Sequence, residues 1–137
     1  MMDLKEQRDK DFLRAVRQAM RDHRGPMNLR QIVAEVAAGP APYYYVTYDH
    51  AVNTLSESRK LQTAIGAPTR RGAMWREILQ RVNDLCKQQG ITRRRALSMV
   101  LNHGEASSFF LEPASAWVLY HNIVQPRRRR PPRRNSE

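Results

Sequence analysis

The chain has one cysteine, Cys86, in 137 residues, so neither an internal disulfide nor a multi-cysteine zinc site is open to it. The thiol falls among the apolar positions of a predicted helix, where a buried, inert side chain is expected. The four histidines, His23, His50, His103 and His121, are scattered, and none has the H-x3-H spacing that metal ligands use. Six glycines build no phosphate-cradling loop, and the acids form no evident dyad. Long apolar runs are missing too. Met1 to Lys10 is almost entirely polar, unlike a signal peptide, and nowhere do ~18 uninterrupted apolar residues occur. These absences argue against an enzyme, a bound metal or cofactor, and a membrane span. They point to an intracellular protein, cytoplasmic or associated with the nucleoid.

Acid is the other shortage. Asp and Glu number 13 against 24 Lys and Arg, for a formal net charge of +11. Residues 126–137 hold six Arg and one Glu, and without them the body keeps 18 basic and 12 acidic residues, or +6. Such an excess favours polyanionic partners and says nothing about fold. Apolar residues at 41% suffice for a modest core, so one compact domain or two very small ones is the natural expectation.

What is present is helical periodicity. Phe12, Ala15, Val16, Ala19 and Met20 follow the i, i+3, i+4, i+7, i+8 spacing of one buried face, which predicts a helix from about Lys5 to Asp22. His23-Arg24-Gly25-Pro26 ends it. Asn28-Leu29-Arg30-Gln31 has the form of a capping box and opens a second helix, with Leu29, Ile32, Val33 and Val36 as its face. That helix stops at Gly39-Pro40. Ala41 to Val46 is extended, with Pro40 before it and Pro42 at its start excluding a helix. Thr47 then caps a third helix through Ala51, Val52 and Leu55, running on toward Ile65. Gly66 to Gly72 reads as a linker.

The same order follows the linker. Trp75, Ile78, Leu79, Val82, Leu85 and Cys86 form one apolar face, closed by Gly90. Thr92 stands 64 residues after Asn28 and opens a helix with Ala96, Leu97, Val100 and Leu101. Ser107 to Leu111 echoes Tyr43 to Val46, and Ala116 lies 65 residues after Ala51. Pro113 occupies the position matching Tyr48, and proline is favoured in a first helical turn. The expectation is an all-α fold of two diverged three-helix units, residues 1–65 and 74–125, joined by a linker at 66–73. Residues 126–137 would form a disordered tail. Units of about 45 residues are too small to be comfortable alone, so the two copies should pack together. The plain alternative is that any helical protein yields such echoes.

Candidate functional residues are basic. The tail arginines Arg127, Arg128, Arg129, Arg130, Arg133 and Arg134 alternate with prolines that prevent a helix, and guanidinium groups suit bidentate phosphate contacts. Arg93, Arg94 and Arg95 occupy the first turn of a predicted helix, where the helix dipole disfavours cations and favours a bound phosphate. Arg70 and Arg71 in the linker, with Arg14, Arg17, Arg21 and Arg24 on the first helix, add positive surface; for these a solvated face is the simpler reading. Tyr43, Tyr44 and Tyr45 have the character of a stacking platform for unpaired bases. Their counterparts Phe109 and Phe110 lack hydroxyls, which favours a core plug.

The stretch Asn28 to Leu55, a capped helix, a break and another helix preceded by a helix, resembles a helix-turn-helix unit. Such units join their last two helices by about 3–4 residues, whereas eight lie between Ala38 and Thr47 here. The resemblance implies that Thr47, Tyr48, His50 and Asn53 head a recognition helix. The second copy offers Glu112, Pro113 and Ser115 in their place, with no basic residue before His121. The Ala-Pro-x-aromatic-aromatic-Val segment at Ala41 to Val46 also resembles one found in small bacterial proteins of unassigned activity. The expected partner is nucleic acid, DNA in preference to RNA. The alternatives are a helical protein-interaction adaptor with a polyanion-binding tail, or an RNA- or ribosome-associated factor.

Overall fold

A computed structural model describes residues 3–125. They form seven helices and no strand: α1 (Leu4–Asp22), α2 (Leu29–Ala38), α3 (Tyr48–Ser56), α4 (Ser58–Gly66), α5 (Arg70–Gln89), α6 (Arg93–His103) and α7 (Pro113–Val124). The fold is all-α, as the periodicity predicts. The expected disordered tail, with its six arginines, lies outside the described residues. None of the described helices is long and apolar enough to cross a membrane.

Local chemistry sets most boundaries. Asp3, Asn28, Thr47, Thr69 and Thr92 each accept, through a side-chain oxygen, the backbone N–H three residues on. Each bond satisfies an amide that the first helical turn leaves without a partner. Gln31 does not complete the capping box; its amide donates to Glu35 instead, at 3.1 Å. α5 closes on Gly90 in the left-handed conformation, φ 64°.

Two boundaries correct the sequence reading. The predicted linker 66–73 contains the start of α5, so Arg70 and Arg71 are helical. Gly72 is there for a close approach: a Cβ at that position would sit 2.0 Å from the carbonyl oxygen of Ala67. The third helix does not run on to Ile65. It breaks at Glu57, which is extended at φ −98° and ψ 123°, and the first unit therefore has four helices rather than three. The apolar stripe gives the reason. Ala51, Val52 and Leu55 define one face, and its continuation falls on Arg59 and Gln62. The apolar residues of the following stretch, Leu61, Ala64 and Ile65, lie on a different face. No straight helix buries both, whereas the bend lays α4 against α3 and α5.

The helices share one core, but not in chain order. α1 packs on α2 and α5 on α6, while α3 lies on α6 and α7 lies on α2. The extended segments that lead to α3 and α7 meet at the centre. There Ala41 and Ala106 form an isolated antiparallel bridge, each N–H donating to the other's carbonyl at 3.0 and 2.9 Å. Beside it Tyr44 stacks on Phe110 and Tyr45 on Phe109, with centroids 6.3 and 6.1 Å apart. Phe12 of α1 meets Phe109 edge-on at 5.4 Å. Ser108 Oγ and Phe109 N–H donate to the carbonyls of Ala37 and Gly39, so the second segment satisfies the open end of α2.

Trp75, Ile78 and Val82 form the buried stripe of α5, and Leu79 beside them is half-buried. The Trp75 indole is 4% exposed and meets the His50 ring of α3 edge-on at 5.7 Å, so it ties α5 to α3. Trp75→Ala removes that filling and should destabilise the fold by about 3–5 kcal/mol. A thermal melt within a degree or two of the parent would show that this face is not core.

Candidate nucleic-acid interface

The structure divides the predicted site residues into small groups. His50 and Arg71 meet on Trp75, the Arg71 guanidinium lying 5.8 Å from the indole centroid. Thr47 spends its hydroxyl as the cap of α3, accepting the His50 N–H at 3.1 Å. Tyr48 and Asn53 are exposed on α3. Arg70 is committed to structure. Its backbone N–H donates to Glu112 Oε2 and its guanidinium to the Leu111 carbonyl, both at 2.7 Å, pinning the approach to α7 against the start of α5.

Arg93, Arg94 and Arg95 are exposed in the first turn of α6. Arg93 donates to Asn83 Oδ1 at 2.7 Å, which ties it to α5. Arg93 and Arg94 rim a hollow of about 360 Å³ between α3, α5 and α6, with Val52, Leu55, Val82 and Leu97 below them. Thus α6 contributes arginines where α3 ends, while His50 and Arg71 lie at the other end of α3. The tail arginines lie outside the described residues.

α1 carries a further basic run. Lys10, Arg14, Arg17 and Arg21 recur at i, i+4, i+7 and i+11, are all exposed, and share one shallow hollow with Leu13. Asp11 lies 3.8 Å from Arg14 but is itself 5% exposed, and Arg21 donates to Gln18 Oε1 at 2.6 Å. Lys10 also borders a second hollow with Asn122 and Ile123 of α7, so the stripe begins near the point where the chain continues into residues 126–137. Asp3, Glu6 and Asp9 edge that hollow, and the positive stripe runs away from them. The signal was present in the spacing, but solvated faces of ordinary helices carry similar runs. Only the packing of α7 on α1 places the start of the stripe beside the last turn of α7.

Two carboxylates hold the aromatic centre in place. Asp11 accepts the Tyr45 hydroxyl at 2.6 Å and the Gln7 amide at 2.9 Å. Glu77 accepts the Tyr44 hydroxyl, the Ser107 N–H and the Ser107 hydroxyl, with Arg81 3.8 Å away. Arg81 also donates to the Glu105 carbonyl and lies 5.4 Å from the Tyr44 ring centroid. Burial pushes both tyrosine hydroxyls well above their ordinary range, and hydrogen bonds to Glu77 and Asp11 push further. Burial also raises Glu77, but Ser107, Tyr44 and Arg81 together outweigh it and hold the carboxyl below its usual value. Phe110 is held in the left-handed region at φ 56°, a strained choice for an aromatic residue, with its N–H donating to Ser108 Oγ at 2.8 Å. Tyr43 is the exposed tyrosine of the three, at 43%.

Among the described residues no group of three or more His, Cys, Asp or Glu is arranged to hold a metal, and Cys86 is half-buried against the core. No protein-family model, curated protein or solved structure matches the chain, so its functional reading rests on the geometry alone.

The carboxylate and phenol shifts set a pH window. Glu77, depressed in the fold, contributes stability that is present above the ordinary glutamate range and is lost as pH falls through its lower folded value. Tyr44 and Tyr45, raised in the fold, contribute stability that is present below about pH 10 and is lost as pH rises through their folded values. Thermal melts across pH should therefore show a plateau with a falling limb on each side. Glu77→Gln should lower the plateau and flatten the acid limb; Tyr44→Phe with Tyr45→Phe should flatten the alkaline one. Limbs as steep as the parent's in these variants would place the titration elsewhere.

Proposed function

We propose that this chain binds nucleic acid, duplex DNA in preference to RNA, chiefly through phosphate contacts. The observation that supports it best is the exposed stripe Lys10-Arg14-Arg17-Arg21 on α1, which begins beside the end of α7, where the arginine-rich segment continues. Eleven helical steps make the stripe ~16 Å long, and phosphates of one DNA strand recur every ~3.4 Å of the duplex axis. Four long cationic side chains at that spacing suit a run of phosphates. Arg94 and Arg95 at the head of α6 offer further contacts, in line with anion binding at helix N-termini. Binding of this kind orients a protein on nucleic acid without reading bases. In this reading Tyr48, His50 and Asn53 on α3 would supply whatever base contacts occur, with Thr47 holding the start of that helix. The reading includes no catalytic residue and no cofactor.

A second reading, a helical adaptor, draws on α7. Val118 is 57% and Val124 43% exposed, which leaves apolar surface for a protein partner next to a polyanion-binding tail. An RNA- or ribosome-associated factor would use the same cations on a folded RNA.

Salt titrations separate these readings. Each neutralised phosphate contributes about −0.9 to the slope of log K against log salt on duplex DNA. Truncation after Gln125 should reduce the magnitude of the slope by about three units, and Lys10, Arg14, Arg17 and Arg21→Gln together should reduce it by a further two to three. Weak binding should persist in the truncated chain through Arg94, Arg95 and the rest of the +6 body. Binding that vanishes with the tail alone would favour the adaptor. Tighter binding to structured RNA than to duplex DNA at equal salt would favour the third reading. A full chain that binds no nucleic acid even at low salt would overturn the proposal.

A further inference from the structure

The packing of α3 on α6 and α7 on α2 has a signature that neither helix order nor periodicity reveals. Ala41 and Ala106 stand 65 residues apart, as do Ala51 and Ala116, and they bond to each other reciprocally. A residue that pairs with its own counterpart lies on a two-fold axis. The aromatic contacts obey the same rule. With the same offset Tyr44 matches Phe109 and Tyr45 matches Phe110, and the observed stacks are Tyr44 on Phe110 and Tyr45 on Phe109. Residue i meets the counterpart of j, and j meets the counterpart of i, as in an isologous interface. The first helices agree at an offset of 66: Phe12 with Val16 and Ile78 with Val82 are buried alike, and Asp11 and Glu77 both meet the aromatic segment, although both their tyrosine partners come from the first half.

We propose that residues 3–56 and 67–125 are two halves related by an internal two-fold axis through the Ala41–Ala106 bridge, each lending its last helix to the other. We propose further that α4 is the hinge that keeps this exchange within one chain. A second copy of this chain is then a competent partner, because its halves present the same complementary faces. The hinge has suitable properties. α4 contains no buried residue, and Glu57 at its start makes no side-chain capping bond. It also spans a real gap. Leu55, near the end of α3, shares a hollow with Val82, twelve residues into α5, so the start of α5 lies ~18 Å back along its axis. The nine residues of α4 cover ~14 Å of that return.

Deleting residues 58–66 joins Glu57 directly to Ala67, and consecutive Cα atoms are only about 3.8 Å apart. The intact arrangement then cannot close within one chain, whereas two chains exchanging halves satisfy every core contact that does not involve α4. Sedimentation equilibrium should give twice the monomer mass for this variant, with helical content and a cooperative melt retained. A folded monomer at all concentrations would overturn the proposal. Failure of the variant to fold is covered by the full chain carrying a protease site at Glu57. After cleavage its halves should stay together in native buffer and separate only in denaturant. When equal amounts of isotope-labelled and unlabelled cleaved chains are unfolded and refolded together, about half the complexes should be hybrids. Halves that part on cleavage, or that fail to reassemble, would show that the exchanged helices do not hold them together.

Discussion

The fold depends on the crossing of two extended segments at its centre. Gly39-Pro40 and Gly104 interrupt the helical pattern before each segment, and the backbone groups freed there need partners away from water. Ala41 and Ala106 supply them to one another, and Ser108 and Phe109 supply them to the end of α2. Small side chains at 41 and 106 let the backbones approach, while the rings that follow fill the space alongside. Once the segments cross, α3 and α7 are delivered to the far side of the molecule, and every later contact follows from that delivery. The carboxylates of Asp11 and Glu77 fix the tyrosines of this crossing to the flanking helices, so the polar network and the aromatic plug act as one element.

Arginine is used in two distinct ways. Arg70, Arg76 and Arg81 donate to backbone carbonyls of neighbouring elements, at Leu111, at Ile65 and Ala67, and at Glu105. These cations satisfy acceptors where helices or segments end, and their charge is partly absorbed into the body. Arg14, Arg17, Arg21, Arg94 and Arg95 are exposed, and it is on these that the proposed phosphate contacts draw. Net charge alone does not distinguish the two uses: Arg70, a binding candidate in the sequence, also clamps the approach to α7.

Helix starts were legible in the sequence because the caps are local: Asn28, Thr47 and Thr92 do what their chemistry predicts within three residues. The buried stripes were legible for the same reason, through Phe12 and Val16 or Ile78 and Val82. The break at Glu57 was missed because it depends on a slip in stripe phase between Leu55 and Leu61, which a continuous helical reading passes over. The start of α5 was hidden behind Gly66, Pro68 and Gly72, residues that look like a linker until Thr69 is recognised as a cap. Which helix covers which was not legible at all, since an amphipathic face specifies that it must be covered and leaves its partner open. The α1 stripe is a similar case: its spacing is plain, but its position beside the end of α7 comes only from tertiary packing.

The packing of α7 on α2 also bears on how the protein is made. During synthesis α2 leaves the ribosome early, whereas α7, which covers it, comes from the final part of the described chain. The side of α2 that α7 covers must therefore wait for roughly seventy further residues before its partner exists. Folding from the N-terminus can form α1 against α2, but it cannot seal that unit. The contacts that close the core are long-range, and the loop-closure entropy they carry makes them slow relative to helix formation. The nascent chain thus passes through a half-built state with an open apolar face, and chaperone capture would be most needed between the emergence of α3 and that of α7.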